Sequence, residues 1–547
     1  MPRLPHGMDI TPDTVRNARN AVDAQIADVP LGFAVTKPVD LRRFDFLFLD
    51  LQDDPENLLP VSQDTREALV ALGEAMADAG GDDPAKDTDP PISAAYTYFG
   101  QFVDHDITLE ASSAPGSRLT APDLQPLPLD RVREETQNVR TGVLELDSLY
   151  GLPAPRVGGR MKIGEVEKLE EPDFPEQKPL LRPPETGPKK ADENDLPREG
   201  RSADVVHDRA ALIGDPRNDE NTIIAQLHVA FLHAHNKLLD EANPPNRFRK
   251  AKKRLRRHYQ HIVLHDFLKR IADPQIVNDT IDRNRVYDPD EDEFFMPLEF
   301  SVAAFRLGHS MVRAAYDFNL NFNRSGDPGT IPATFDSQRP FLFIFTALSG
   351  ELGDFKTLPE NWIIEWENFF DPEGGPPRNR ARRIDTELVE PLQHLRILSG
   401  QEEGGLAAKL AVRNLLRGYL LRMPTGQAVA RALRQRLHGV RDIPVLTPQQ
   451  IRQGAANQQQ IQALEDGGFL RRTPLWYYIL AEAAVLGGSQ HLGPVGSTIV
   501  AEVLVGLVRR SPDSILDPES DWEPNLPSAR PGTFRLPDLL RFAGVLT

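Results

Sequence analysis

The chain has 547 residues, 26% of them charged, and a net charge of −18. An acidic balance of this size excludes a phosphate-tracking nucleic-acid binder, whose affinity rests on basic surface. The absence of cysteine excludes disulfides, thiolate-held zinc, iron–sulfur clusters and a cysteine nucleophile.

The opening MPRLPHGMDI has no apolar core of the kind a signal peptide needs, and no stretch reaches about 18 apolar residues. Neither a leader nor a membrane span is expected. The compartment stays open between the cytoplasm and export without a recognisable signal. Residues 1–90 read as an N-terminal extension packed on or wrapping a core that spans 91–547. Length alone would allow three or four domains at roughly 100–200 residues each. Thr65–Ala77 has a helical apolar rhythm and runs into the breaker-rich GGDDPAKDTDPP. A second punctuated stretch, about 165–205, reads as a loop or an extended wrap. Beyond it the spacing predicts helices over Asn221–Leu239, Ala251–Arg270, Val302–Tyr316, Leu406–Leu421, Thr425–Leu437, Pro474–Val485 and Val495–Val508. There is no βαβ alternation, repeat, G-x-G-x-x-G or Walker A motif. The expected fold is mainly α-helical with little β structure.

Five segments set polar groups among apolar ones. AAYTYFGQFVDHDITLE carries Gln101, Asp104, His105 and Asp106. On a helix Gln101 and His105 share a face, while Asp106 points away. A satisfied buried histidine is one account; a site is the other, because polar groups so dense need partners. TGVLELDSLYG sets Thr141, Val143, Glu145 and Asp147 at alternate positions. These are hard oxygen donors suited to Ca²⁺, although a turn-flanked acidic strand has the same appearance. GDPRNDEN carries Arg217 and Glu220 three apart at an expected helix start, where a cap with a surface ion pair is the plainer reading. FRLGHSMV puts Arg306 and His309 on one face, and AVRNLLRGYLLRMPTGQ interrupts an apolar helix with Asn414 and Arg417. His258, His261 and His265 form a row at helical spacing, as do His228 and His235. Packing or partial exposure accounts for both rows better than a metal does.

Taken together, the five segments resemble the animal-type haem peroxidases of the peroxidase–cyclooxygenase superfamily, the myeloperoxidase-like group, in a bacterial-like form. FGQFVDHDIT is similar to the distal-histidine signature, GDPRNDEN to the distal-arginine signature and FRLGHSMV to the proximal-histidine signature. NLLRGYLLRMP has the spacing of the asparagine that supports the proximal histidine, and GPVGSTIVAEVLVGLVRR resembles the closing helix. The resemblance runs from about 96 to 510 and implies one large helical domain, which replaces the count from length.

The resemblance also implies roles. His105 would be the distal acid–base residue, Arg217 the distal arginine, and Gln101 a hydrogen-bonding group of the distal cavity. His309 would be the axial ligand of haem iron, with the Asn414 carbonyl accepting its imidazole N–H. Asp104 and Glu220 match carboxylates that form ester bonds to haem, so the cofactor is expected to be haem b or an ester-linked derivative. Arg306 and Arg417 would face haem propionates. Asp106, Thr141, Val143, Glu145 and Asp147 would surround Ca²⁺. The expected activity is reduction of hydrogen peroxide with oxidation of phenolic or aromatic donors, in a response to oxidative stress. Iodide, bromide and thiocyanate are further candidate donors. A haem-dependent fatty-acid dioxygenase and a non-catalytic scaffold are the alternatives. Asn221 stands where the chloride-oxidising members carry a sulfonium-forming methionine, which puts chloride oxidation in doubt. Arg306 stands where cyclooxygenases carry a radical tyrosine, which disfavours that design. No nucleic acid and no membrane span are expected; oligomeric state stays open.

Overall fold

The apolar residues at three- and four-residue spacing form helices whose buried stripes meet in one continuous core. A computed structural model describes residues 42–78, 89–112, 119–151, 154–168, 192–204, 207–288, 294–319, 352, 354–371, 374–395 and 405–547. Most of the breaker-rich segment 80–91 and of the punctuated stretch 165–205 lies outside them.

Several helices fall close to their expected bounds: Gln63–Ala75, Thr222–Glu241, Gly426–Arg436, Leu475–Leu486 and Pro494–Arg510. Gln63–Ala75 packs on Leu410–Leu420. Gly73 permits the approach, because a Cβ there would lie 2.8 Å from the Val412 backbone. The two most apolar helices each bury a glutamate, and both are satisfied by main-chain N–H groups. Glu482 accepts from Val495 N at 2.9 Å and Gly496 N at 3.2 Å, capping the last long helix. Glu502 accepts from Arg285 N at 2.9 Å and Val286 N at 3.0 Å.

Strand structure is slight. The main sheet orders its strands 110–112, 136–138, 42–45 and 295–297. Arg42–Asp45 runs antiparallel to 136–138 and parallel to Phe295–Pro297. One edge strand continues from the helix Ala95–Ile107, and the other leads into the segment 299–309. The sheet thus ties together two elements that carry candidate site residues. Its strand 42–45 comes from the N-terminal 90 residues.

Three expectations change. Val302–Tyr316 is not one regular helix. A wide π turn, Glu299–Ala303, passes into a tight 3₁₀ turn, Ala304–His309, and the chain is irregular beyond it. Buried Glu299 fixes the start, accepting Leu47 N at 2.8 Å and Phe48 N at 3.1 Å. Ala251–Arg270 divides into Arg247–Ile262, a π turn over Val263–Phe267, and a last turn. There the Asp266 carboxylate is shared by Tyr96 Oη at 2.6 Å, Leu536 N at 2.9 Å and Arg270. Arg217 and Glu220 precede the long helix instead of opening it. They lie in and just after a 3₁₀ turn, Pro216–Asp219, and Asn221 is the helix N-cap, its Oδ1 accepting Ile224 N at 3.0 Å.

Burial raises the Glu482 carboxyl from 4.5 to about 8, and its main-chain donors only partly offset this. Because the folded pKa lies above the unfolded one, this group's contribution is full below about 4.5 and lost as pH rises toward about 8. Thermal melts of Glu482→Gln against the parent are expected to remove that share of the decline. The variant gains relative stability at pH 8 over pH 5.

Candidate active site

A cavity of about 340 Å³ is lined by residues from three of the five segments. The helix Ala95–Ile107 contributes Gln101, Asp104 and His105, the turn at 216–221 contributes Arg217, Glu220 and Asn221, and the 3₁₀ turn contributes Arg306, Gly308 and His309. The tight winding of 304–309 follows the wide one, so Phe305 to His309 all face the cavity; a regular α-helix would present only a stripe. Phe267, Ile271, Leu392, Leu395 and Leu410 make the rest of the wall largely apolar.

Arg217 is fixed before any ligand arrives. Its main-chain N and Nε donate to Asp215 Oδ1 at 2.9 and 3.1 Å, and its Nη2 to Asp215 Oδ2 at 2.7 Å and to the Thr108 carbonyl. Asp215 also receives Arg140, whose Nη2 donates to the Gly214 carbonyl at 3.1 Å. Burial opposes the Asp215 charge, but the two guanidiniums hold its carboxyl well below the usual range. Burial likewise opposes the Arg217 charge, and Asp215 outweighs it. Neighbouring Asp219 is held by Arg198 at 2.8 and 2.9 Å, and Arg198 also binds Asp195. Arg140, Asp215 and Arg198 were not legible as site supports; a charged residue alone does not reveal its burial.

His105 is buried, and desolvation, with help from Arg217, lowers its pKa, which favours the neutral ring. Its Nδ1 meets Asn218 Oδ1 at 2.7 Å, and Asn218 Nδ2 meets His228 Nδ1 at 3.0 Å. Neither Asn218 nor His228 was singled out from the sequence for this position. Gln101 donates from Nε2 to Glu220 Oε2 at 2.8 Å and accepts from Asn221 Nδ2 at 3.3 Å. Asp104 accepts Thr108 Oγ1 at 2.9 Å and lies 4.0 Å from Arg217 Nη1.

On the His309 side two residues stand otherwise than expected. Asn414 does reach His309, but through Nδ2, 2.8 Å from Nδ1. Its carbonyl instead accepts Arg306 Nη1 at 2.6 Å, while Arg306 Nε donates to the Ser301 carbonyl at 3.1 Å, so the half-buried guanidinium is paired at both ends. Arg417 pairs with Glu110 and does not line the cavity.

The oxygen-rich group gathers only in part. Asp106 is fully buried and accepts Leu146 N at 3.1 Å. Leu146 stands at φ 62°, a strained conformation held by that bond. Desolvation first, then the nearby Asp147, raises the Asp106 carboxyl to about 7. Thr141 Oγ1 donates to Asp147 Oδ2 at 3.1 Å, and the Val143 carbonyl is taken by Glu145 N at 3.0 Å. Glu145 pairs with Arg256 at 3.0 Å. Among the described residues no cluster of three His, Asp or Glu has the arrangement of a metal site. The His258 row is likewise structural: its Nδ1 meets the Arg254 carbonyl at 2.7 Å and its Nε2 accepts Asn525 N at 3.2 Å. His235 is held by Tyr150 Oη at 2.8 Å.

Comparison with known proteins agrees with this geometry. The animal haem peroxidase family profile matches residues 155–343, which hold Arg217, Arg306 and His309. A peroxidase-like protein of Margaritifera margaritifera is 29% identical over 257 residues, 40% of this chain and 32% of that protein. Thyroid peroxidase of Canis lupus familiaris is 32% identical over 108 residues, 18% of this chain and 11% of that protein. The matches thus span a third or less of these relatives' lengths. In fold, the chain is similar to peroxidase A of Dictyostelium discoideum, with a TM-score of 0.52 at 16% identity over 88% of this chain and 89% of that one. It is also similar to Oryza sativa fatty acid alpha-dioxygenase with palmitic acid, with a TM-score of 0.50 at 16% identity over 84% and 75%. A helical fold with little strand, a cavity between two histidine-bearing segments and these matches point to one class: residues 155–343 match the animal haem peroxidase family, and the chain is similar to its members. Haem binding is what that family implies. Among the described residues no helix is long and apolar enough to cross a membrane.

Asp215→Ala is expected to leave Arg140 and Arg217 buried without their shared acceptor. The loss, read by denaturant unfolding, should be about 3–5 kcal/mol, the scale for breaking a buried ion pair.

Proposed function

We propose that the chain is a peroxidase that reduces hydrogen peroxide and oxidises phenolic or aromatic donors, with iodide, bromide and thiocyanate as further donors to assay. One observation carries this reading. His105 and His309 line the same cavity, each with Nδ1 held by an asparagine, and Arg217 lines it beside them.

The cavity suits haem b or an ester-linked derivative. Its wall is largely apolar, and the space beside Gly308 is open, with nothing within 4 Å of a Cβ built there. In this reading haem, when bound, supplies the iron at which peroxide is cleaved and through which electrons are drawn from the donor. His309 would be the residue that holds the haem iron. A ring that ligates through Nε2 carries its hydrogen on Nδ1, so it needs the oxygen end of the Asn414 amide. Arg306 would then need another acceptor, and a haem propionate is one. Arg417, paired with Glu110, is the weaker candidate for the second propionate. On the distal side neutral His105 takes a proton from hydrogen peroxide and returns it to the departing oxygen. Arg217 offsets the negative charge that develops as the O–O bond breaks, and its prior fixation removes a reorganisation cost. Gln101 orders the polar side of the cavity through Glu220 and Asn221.

Asp104 and Glu220, both on the cavity wall, are the proposed ester positions, with peroxide as the oxidant. Denaturing electrophoresis with haem detection after peroxide treatment tests them; fully extractable haem counts against the esters and leaves His309 ligation intact. Ca²⁺ near Asp106 and Asp147 is a separate proposal, supported by two acidic groups adjacent in a buried site. Its rival is the loop neutralised by Arg256. Chelation is expected to lower the melting temperature, whereas native protein without calcium favours the ion-paired loop.

The activity reading is tested by visible spectra and rapid mixing. The haem-loaded chain should show a Soret band that His309→Ala loses or remodels. His105→Ala should slow the reaction with peroxide by about 10²-fold or more, the usual scale of positioned acid–base catalysis. Oxygen uptake with an unsaturated fatty acid, without turnover of a phenolic donor, would favour the dioxygenase reading. That reading draws support from the fold shared with the alpha-dioxygenase. An unchanged spectrum in His309→Ala would sink its assignment as ligand, and a chain that shows no Soret band would favour a scaffold.

A further inference from the structure

Hydrogen bonds to its other nitrogen decide which face of an imidazole can act as a base. Asn218 Oδ1 stands 2.7 Å from His105 Nδ1, and a carbonyl oxygen only accepts. The hydrogen of a neutral His105 therefore sits on Nδ1, and the lone pair is on Nε2. Asn218 Nδ2 stands 3.0 Å from His228 Nδ1, and an amide nitrogen only donates. His228 therefore accepts at Nδ1 and carries its hydrogen on Nε2.

Three residues and two hydrogen bonds thus share one proton arrangement. Rotating the amide would reverse both tautomers together, since each end of Asn218 is committed to a ring. Arg217 favours the arrangement seen. It lines the cavity that His105 faces, and a cation there favours a lone pair on the facing edge over an N–H. His228 is wholly buried, and among the described residues its Nε2 has no hydrogen-bond partner. Desolvation lowers its pKa to about 3, so it stays a neutral ring with one nitrogen able to accept, and Asn218 Nδ2 meets Nδ1. Phe102 packs edge-to-face on His228 with ring centroids 6.0 Å apart, which holds the ring in place.

We infer that Asn218 and His228 are positioning residues that lock His105 in the Nδ1–H tautomer, leaving its Nε2 lone pair toward the cavity. The lock itself follows from the hydrogen bonds; only its use on peroxide rests on the peroxidase reading. Asn218 sets the tautomer, and His228 sets which way the amide of Asn218 points.

The test uses the full chain labelled with nitrogen-15 histidine, its haem held in the diamagnetic, reduced, carbon-monoxide-bound form or absent. Long-range proton–nitrogen correlation is expected to show His105 protonated on Nδ1 and His228 on Nε2, with His105→Gln and His228→Gln assigning the signals. Asn218→Leu should shift His105 toward the Nε2–H form, and His228→Leu should give a mixture. Rapid mixing should then show the peroxide step slowed at least about tenfold in Asn218→Leu, a modest share of what a wrong histidine tautomer costs elsewhere. The donor KM should be unchanged. Asn218→Asp, whose carboxylate accepts the same hydrogen, should restore most of the rate. Wild-type His105 protonated on Nε2 would overturn the inference, as would an Asn218→Leu chain with unaltered tautomer and rate. If Asn218→Leu does not fold, the wild-type spectrum and His228→Leu decide the matter. A chain that shows the tautomer pair yet does not react with peroxide would sink the peroxidase reading and leave the lock standing.

Discussion

Asp215 is the group on which the distal half of the site depends. Its buried carboxylate receives Arg140 from the loop after strand 136–138 and Arg217 from its own turn. Arg217 in turn reaches the main chain at the end of the histidine-bearing helix, at the Thr108 carbonyl. Three segments far apart in sequence meet at one anion. A buried carboxylate is costly unless paired, and here the cost is offset only when all three stand in their native positions. The main chain closes the same junction. A Cβ on Gly214 would lie 2.4 Å from the Asp147 carbonyl, so only glycine allows the two strands of chain to touch there.

The site is built largely from such pairings between polar groups that the surrounding apolar packing forces together. His105, Asn218 and His228 form one line of them, and Arg306, Asn414 and His309 another. In both, an asparagine stands between a histidine and a second group, and its two-ended amide couples what happens at each end. The sides differ in what occupies the far end. On the distal side it is a neutral buried ring that wants a donor. On the His309 side it is a half-buried guanidinium that donates to the amide oxygen. On the His105 side each end of the amide meets a ring of the protein, whereas on the His309 side an anion that takes Arg306 away would free the amide.

The apolar framework and the acidic groups within it obey the same rule. Glu299, Glu482 and Glu502 lie buried, yet each meets main-chain donors of a segment it anchors. Glu299 matters most for the cavity. It pins residues 47 and 48 beside the wide turn that precedes the tight one, and that change of winding turns Phe305 to His309 toward one space.

Much of this was written in the sequence itself. The period of apolar residues marks most helices to within a few positions, because burial of one face is a local pattern. The lack of cysteine and the acidic charge exclude whole classes of chemistry. Gln101, Asp104, His105, Arg306 and His309 stood out as polar groups in apolar segments, Arg217 and Glu220 through the resemblance of GDPRNDEN, and these seven line one cavity. Tertiary structure decided what those partners are. Asn218 looks like an ordinary turn residue until the imidazoles of His228, ten residues on, and His105, 113 residues back, close on its amide. Asp215 looks like a cap until Arg140 arrives from 75 positions away. The regular helix expected at 302–316 gives way because Glu299 is claimed by residues 251 and 252 positions off. Arg417 turns to Glu110 and Glu145 to Arg256 for the same reason. A charge seeks the nearest opposite charge in space, and no spacing along the chain records which one that is.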